Sequence, residues 1–201
     1  TRYDERLITI NTLLKSNDND EMKRINEKLN IHIKQYSELC RKLCKCKIIY
    51  ASAGFEAIEE DKFDYIGINK YFNKKNINHY EKEVINISKK GKIIITEFGC
   101  PTYKNGWIYG GNAWYIARMR KVERSEDEQA KSIKFMLAKL YSLPIEGFLL
   151  YTFFEPKNNS LFPNWSAESY GIMEFQSNNS LKPKKVCKII REINLKDKLI
   201  K

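Results

Sequence analysis

Three glutamates, Glu56, Glu97 and Glu155, follow apolar runs closely. A carboxylate held there can serve as nucleophile or as general acid or base. The sharpest case is the stretch 92–102, KIIITEFGCPT. Ile93, Ile94, Ile95 and Thr96 are strand formers that run straight into Glu97, with Phe98, Gly99 and Pro101 directly after. An apolar run of that length between Gly91 and Gly99 predicts a strand buried on both faces. Such strands belong to α/β sheets, whose chemistry is carried at the strand ends. Glu155 closes the run GFLLYTFF in the same way, and Glu56 comes shortly after KIIYASA. The same placement suits a carboxylate that caps its strand toward solvent, and Glu56 better suits pairing with a nearby lysine.

The elements that must position these groups alternate. A polar start at 1–17 turns apolar through Leu7, Ile8, Ile10, Leu13 and Leu14, predicting a short helix. Over 21–43 the residues Ile25, Leu29, Ile33, Tyr36, Leu39 and Leu43 recur at nearly helical spacing, which predicts an amphipathic helix with one buried stripe. Strands are expected at 47–53, 64–71, 93–97 and 147–154. Helices are expected at 77–90, closed by Gly91, at 125–141, and at about 183–193 with Pro183 in the first turn. Ser125 and Glu128 read as a capping box. The loop 101–121 is rich in glycine and aromatic residues, a composition that suits a functional loop. A small extra strand is expected in SYGIMEF at 169–175. Strand and helix in alternation call for parallel β/α units.

Bulk properties exclude several classes. At 201 residues, with 42% hydrophobic and 30% charged residues, the chain reads as one ordered domain with a substantial core. No apolar run has membrane-spanning length. The formal charge of +11 raises a nucleic-acid partner, but acidic residues are interleaved and no recognition motif accompanies the lysines. Five cysteines in no framework spacing suggest free thiols in a reducing, cytoplasmic setting, and neither they nor His32 and His79 offer a metal-ligand pattern.

The order of the motifs carries a resemblance. ITEFG after one strand and YTFFEP ending the next resemble the last two strands of TIM-barrel glycoside hydrolases of the cellulase and β-glucosidase type. A closer likeness is to microbial TIM-barrel proteins labelled abortive infection proteins. It rests on the YASxxxE pattern at 50–56, FDYIGINKY at 63–71, ITEFGCPTY at 95–103, GGNAW at 110–114, SEDEQA at 125–130, YTFFEP at 151–156 and ESYGIM at 168–173.

The resemblance implies that 1–201 is a single partial (β/α)8 barrel, its C-terminal half from about strand five to strand eight. The N-terminal half, with the Asn-Glu pair that supplies the acid/base, would lie upstream. Glu97 would be the nucleophile of a retaining glycosidase and Tyr71 would hold its carboxylate ionised. Trp114 and Tyr151 would stack on sugar faces, while Asn69 and Glu155 would bond hydroxyls. A carbohydrate is the implied ligand, with no metal and no organic cofactor. The half alone would be inactive, because retention needs two carboxylates about 5–5.5 Å apart. The alternative is a catalytically silent barrel that binds a glycan or protein partner, with phage defence as one setting.

Overall fold

The computed structural model describes residues 19–52, 56–112, 120, 122–154, 170–176 and 180–199. The chain divides into two compact units, Thr1–Ile66 and Gly67–Lys201. The short helix expected at 1–17 lies outside the described residues.

The first unit contains helix α1, Asn19–Leu43, strand β1, Ile49–Ser52, a 3-10 turn at Glu60–Lys62 and the start of β2, Tyr65–Ile68. Helix α1 has the predicted extent, but its predicted stripe is buried only in part. Its buried residues are Ile33 and Ser37, whereas Tyr36 and Leu43 of the expected stripe are 66% and 79% exposed. Asn26 and Asn30 share the face of Ile33 and Ser37, and they bind the backbone of 57–59. Asn30 Nδ2 donates to the Ala57 carbonyl at 2.7 Å, while Asn26 Oδ1 and Asn30 Oδ1 accept the Ala57 and Glu59 amides at 3.0 Å each. Near the helix end Asp64 accepts the Ile48 amide at 2.8 Å and the Arg41 guanidinium at 3.3 Å. Cys44 and Cys46 form a disulfide, a correction to the expectation of free thiols, because the short turn brings their Cα atoms to 5.3 Å. Cys40, Cys100 and Cys187 are free.

The second unit carries the end of β2, then α2, Ile77–Ser88, β3, Ile93–Phe98, a 3-10 segment at Gly106–Asn112, α3, Glu126–Tyr141, and β4, Gly147–Leu150. A hairpin of β5, Met173–Phe175, and β6, Leu181–Pro183, precedes α4, Lys185–Leu199. Strand order here is β2-β3-β4, and β3 pairs with β4 in parallel, with Ile94 opposite Gly147 and Ile95 opposite Phe148. This is the expected α/β architecture with a parallel sheet.

The core lies between β3 and the helices. Ile93, Ile95 and Phe98 are buried, as are Tyr80 and Val84 from α2, Ile133, Met136, Leu137 and Leu140 from α3, and Val186 from α4. Each such aliphatic side chain contributes about 1.5–3 kcal/mol by leaving water. Phe72 stacks on Tyr80 at 4.8 Å between ring centroids, just after β2.

Several expectations are corrected. Ile94 and Thr96 are only half-buried, so β3 buries one face fully rather than two, while in β4 Leu149 is 59% exposed and Gly147, Phe148 and Leu150 are half-buried. Helix α2 closes at Lys89 in right-handed conformation, with the Lys89 amide on the Asn86 carbonyl and the Lys90 amide on the Ile87 carbonyl, so the turn is complete before Gly91. Pro183 ends β6 and stands outside the first turn of α4, since it pairs with Met173 across the hairpin. β4 stops at Leu150, where the backbone turns aside to meet 170–173.

Candidate functional site

Glu97 is the next-to-last residue of β3 and is half-buried. Inward Ile95 and Phe98 fix the strand against the helices and leave Glu97 at the C-terminal rim of the sheet. Tyr71 arrives from the loop after β2. Lys70, beside it, forms an ion pair with Glu83 of α2 at 2.6 Å, which tethers the segment. The Tyr71 hydroxyl donates to Glu97 Oε1 at 2.7 Å. Burial first, then the hydrogen bond to Glu97 and the charge of Glu97, push the Tyr71 phenol far above its ordinary value. It therefore remains a donor at any physiological pH.

Tyr151 is reached through the end of β4. Its amide donates to the Phe98 carbonyl at 2.8 Å, and the Tyr151–Thr152 peptide is cis. Burial and the charge of Glu97 raise its phenol. Tyr170, which is 3% exposed, stands edge-on to both Tyr71 and Tyr151, with centroid distances of 6.1 Å and 5.7 Å. Three tyrosine rings and one carboxylate thus form a connected group. Gly99 makes room for it. A Cβ at that position would collide with the Tyr151 carbonyl oxygen and sit 3.3 Å from the Tyr170 ring.

The loop after Glu97 is anchored by buried polar groups. The Ser125 amide donates to the Thr102 carbonyl at 3.1 Å, and the buried Lys184 Nζ donates to Thr102 Oγ1 at 2.8 Å. Gln129, fully buried in the first turn of α3, donates from Nε2 to the Cys100 carbonyl at 3.0 Å. Burial pushes the Cys100 thiol up to about 12.

Glu97, Tyr71 and Tyr151 are brought together. Asn69 follows β2 and is half-buried; among the described residues it takes no part in the hydrogen bond between Tyr71 and Glu97. Trp114 and Glu155 lie outside the described residues. Glu56, in the first unit, accepts the Tyr50 hydroxyl at 3.1 Å. Sequence reading assigned no role to Tyr170 or Gln129. Both fall inside quoted motifs, ESYGIM and SEDEQA, and that membership was the available signal.

No protein-family model matches the sequence, and no curated protein does. The closer resemblance to abortive infection proteins therefore rests on the motifs alone. Among solved structures the chain is similar to a GH113 beta-1,4-mannanase, with TM-score 0.59 and 15% identity over 83% of this chain and 51% of the mannanase. A beta-glucuronidase from an uncultured Clostridium sp. gives TM-score 0.53 and 18% identity over 81% of this chain and 29% of that one. A glycoside hydrolase family 17 beta-1,3-glucanosyltransferase from Rhizomucor miehei gives 0.51 and 16% over 79% and 56%. At such identities the likeness shows the fold: an α/β chain of the kind found in glycoside hydrolase TIM barrels. The chain spans about half the length of the mannanase and the glucanosyltransferase.

Proposed function

We propose that this chain is the C-terminal half of a retaining glycoside hydrolase barrel, with Glu97 as its nucleophile. The observation that carries the reading is the short hydrogen bond from Tyr71 to Glu97 at the C-terminal end of a parallel strand. The shared fold supports it, since barrels of this kind place their chemistry at that end. In the proposed reaction one oxygen of Glu97 attacks the anomeric carbon, and the bond to the leaving oxygen breaks as an acid protonates it. A glycosyl ester on Glu97 results, and water then releases the sugar. Tyr71 occupies one carboxylate oxygen and so orients the other. Tyr151 and Trp114 offer aromatic faces to the sugar, while Asn69 and Glu155 take hydroxyls. The acid/base belongs to an upstream Asn-Glu pair in the missing half, and two carboxylates suffice without metal or cofactor.

A second reading is a silent barrel that binds a glycan or protein partner, including a role in phage defence. The deciding experiment exposes the full-length protein to a panel of activated 2-deoxy-2-fluoroglycosides and weighs it intact. The expected result is a covalent adduct on Glu97 that disappears in Glu97→Gln. A folded protein that takes no adduct from a broad panel would remove Glu97 as nucleophile and leave the binding role.

A further inference from the structure

Gln129 makes more contacts than a helix residue needs. Its side-chain amide has two N–H donors, yet three carbonyl oxygens converge on Nε2: Cys100 at 3.0 Å, Tyr170 at 3.3 Å and Gly171 at 3.4 Å. They come from two segments far apart in sequence. One follows the strand that carries Glu97; the other carries the Tyr170 ring. Helix α3 does not require an amide there, since Ser125 caps it and Ile133, Met136 and Leu137 pack it. An apolar side chain would fill the same buried position and leave those carbonyls without this donor.

We propose that Gln129 is a positioning residue for the candidate site, an inference that rests on the glycosidase reading of Glu97. It pins the backbone of 170–171 to that of Cys100, three residues beyond Glu97. Tyr170 is thereby held against both Tyr71 and Tyr151. The Tyr71 ring is then fixed with its hydroxyl aimed at Glu97 Oε1. Gln129 touches no substrate; it acts through Tyr170 and Tyr71. Loss of its donors would loosen the ring wall and blur the aim of Tyr71, with the larger effect on the glycosylation step and a smaller one on ground-state sugar binding.

The test uses full-length protein with Gln129→Met, which keeps the shape and removes the donors, and Gln129→Glu. Three quantities are read: cooperative unfolding, hydrogen exchange of the 170–173 amides, and the rate of Glu97 labelling by a fluoroglycoside that labels the parent protein. For Gln129→Met we expect cooperative unfolding, exchange at 170–173 faster by about tenfold, and a saturating labelling rate lower by about tenfold, with half-saturation changed much less. For Gln129→Glu, labelling should fall with rising pH more steeply than in the parent, because the protonated carboxyl retains one donor and the ionised form has none.

A folded Gln129→Met protein with parental exchange at 170–173, or with a parental labelling rate, overturns the proposal. Failure of both variants to fold also overturns it, in favour of a purely structural role. If the parent takes no label, the glycosidase reading fails separately. The exchange data then decide on their own whether Gln129 holds the 170–171 segment.

Discussion

Burial decides how the side chains near Glu97 behave as acids. The Cys100 thiol is held neutral up to about 12 against an ordinary 9.0, with burial the main cause and the Ser132 hydrogen bond opposing it. The folded chain keeps a proton that the unfolded chain releases between those values, so the unfolded state binds fewer protons there. Stability from this group is complete below pH 9 and is lost as pH rises toward 12. Tyr71 and Tyr80, both raised mainly by burial, act with the same sign. We predict that the melting temperature declines above about pH 9 and that Cys100→Ala declines less steeply over that range. At pH 8 a thiol reagent should modify exposed Cys40 and leave Cys100 intact until the protein unfolds. At this scale Glu97 was legible as a carboxylate at a strand end, and Tyr71 as the ring that closes the strand before it and now donates to that carboxylate. Gln129 and Tyr170 were not. Their importance lies in backbone carbonyls and ring edges that only the folded chain brings together.

Helix α3 shows what a local signal can and cannot say. Ser125 Oγ accepts the Glu128 amide at 3.3 Å, as its capping box predicts, but the Ser125 amide goes to the Thr102 carbonyl. That half of the box thus becomes a tertiary contact with the loop after Glu97. Ser125→Ala should destabilise the protein by about 1 kcal/mol, read as a lower urea midpoint with an unchanged slope. Helix α1 teaches the opposite lesson. Its hydrophobic spacing located the helix correctly, but of the predicted stripe Ile33 is buried while Tyr36 and Leu43 face outward, and Asn26 and Asn30 beside Ile33 bind the backbone of 57–59. Hydropathy does not count such hydrogen bonds. Strand β4 was read as buried for a related reason: an apolar run reports composition, and Leu149 faces outward despite it.

Across the whole chain, alternating strands and helices were enough to name an α/β architecture with a parallel sheet. ITEFG and YTFFEP at two strand ends pointed to the glycoside hydrolase type of barrel, whereas the longer series of motifs pointed to abortive infection proteins, which no comparison supports. The division at Ile66 was not legible, since it falls inside β2, where no linker composition marks it. The charge of +11 is likewise a whole-chain property. Many basic groups in the folded chain face carboxylates: Lys70 faces Glu83 at 2.6 Å, Lys139 faces Glu81 at 2.9 Å and Lys185 faces Asp127 at 2.8 Å. Among the described residues no helix is long and apolar enough to cross a membrane. We predict no mobility shift of random duplex DNA at about 0.15 M salt, with weak retention only at much lower ionic strength. A shift that persists at the higher salt would reverse this view of the charge.

The close approach of Gly99 to the Tyr151 carbonyl bears on how such a chain can be recombined. Position 99 and the 151–152 turn fit only as a matched pair, and 170–171 is matched to both. A chimaera that takes β3 from one parent and the end of β4 from another would join surfaces shaped for different neighbours. Tyr71 is matched to Glu97 and Tyr170 in turn, so crossovers that respect the site must fall before Tyr71 or after Gly171, and 71–171 is inherited as one block.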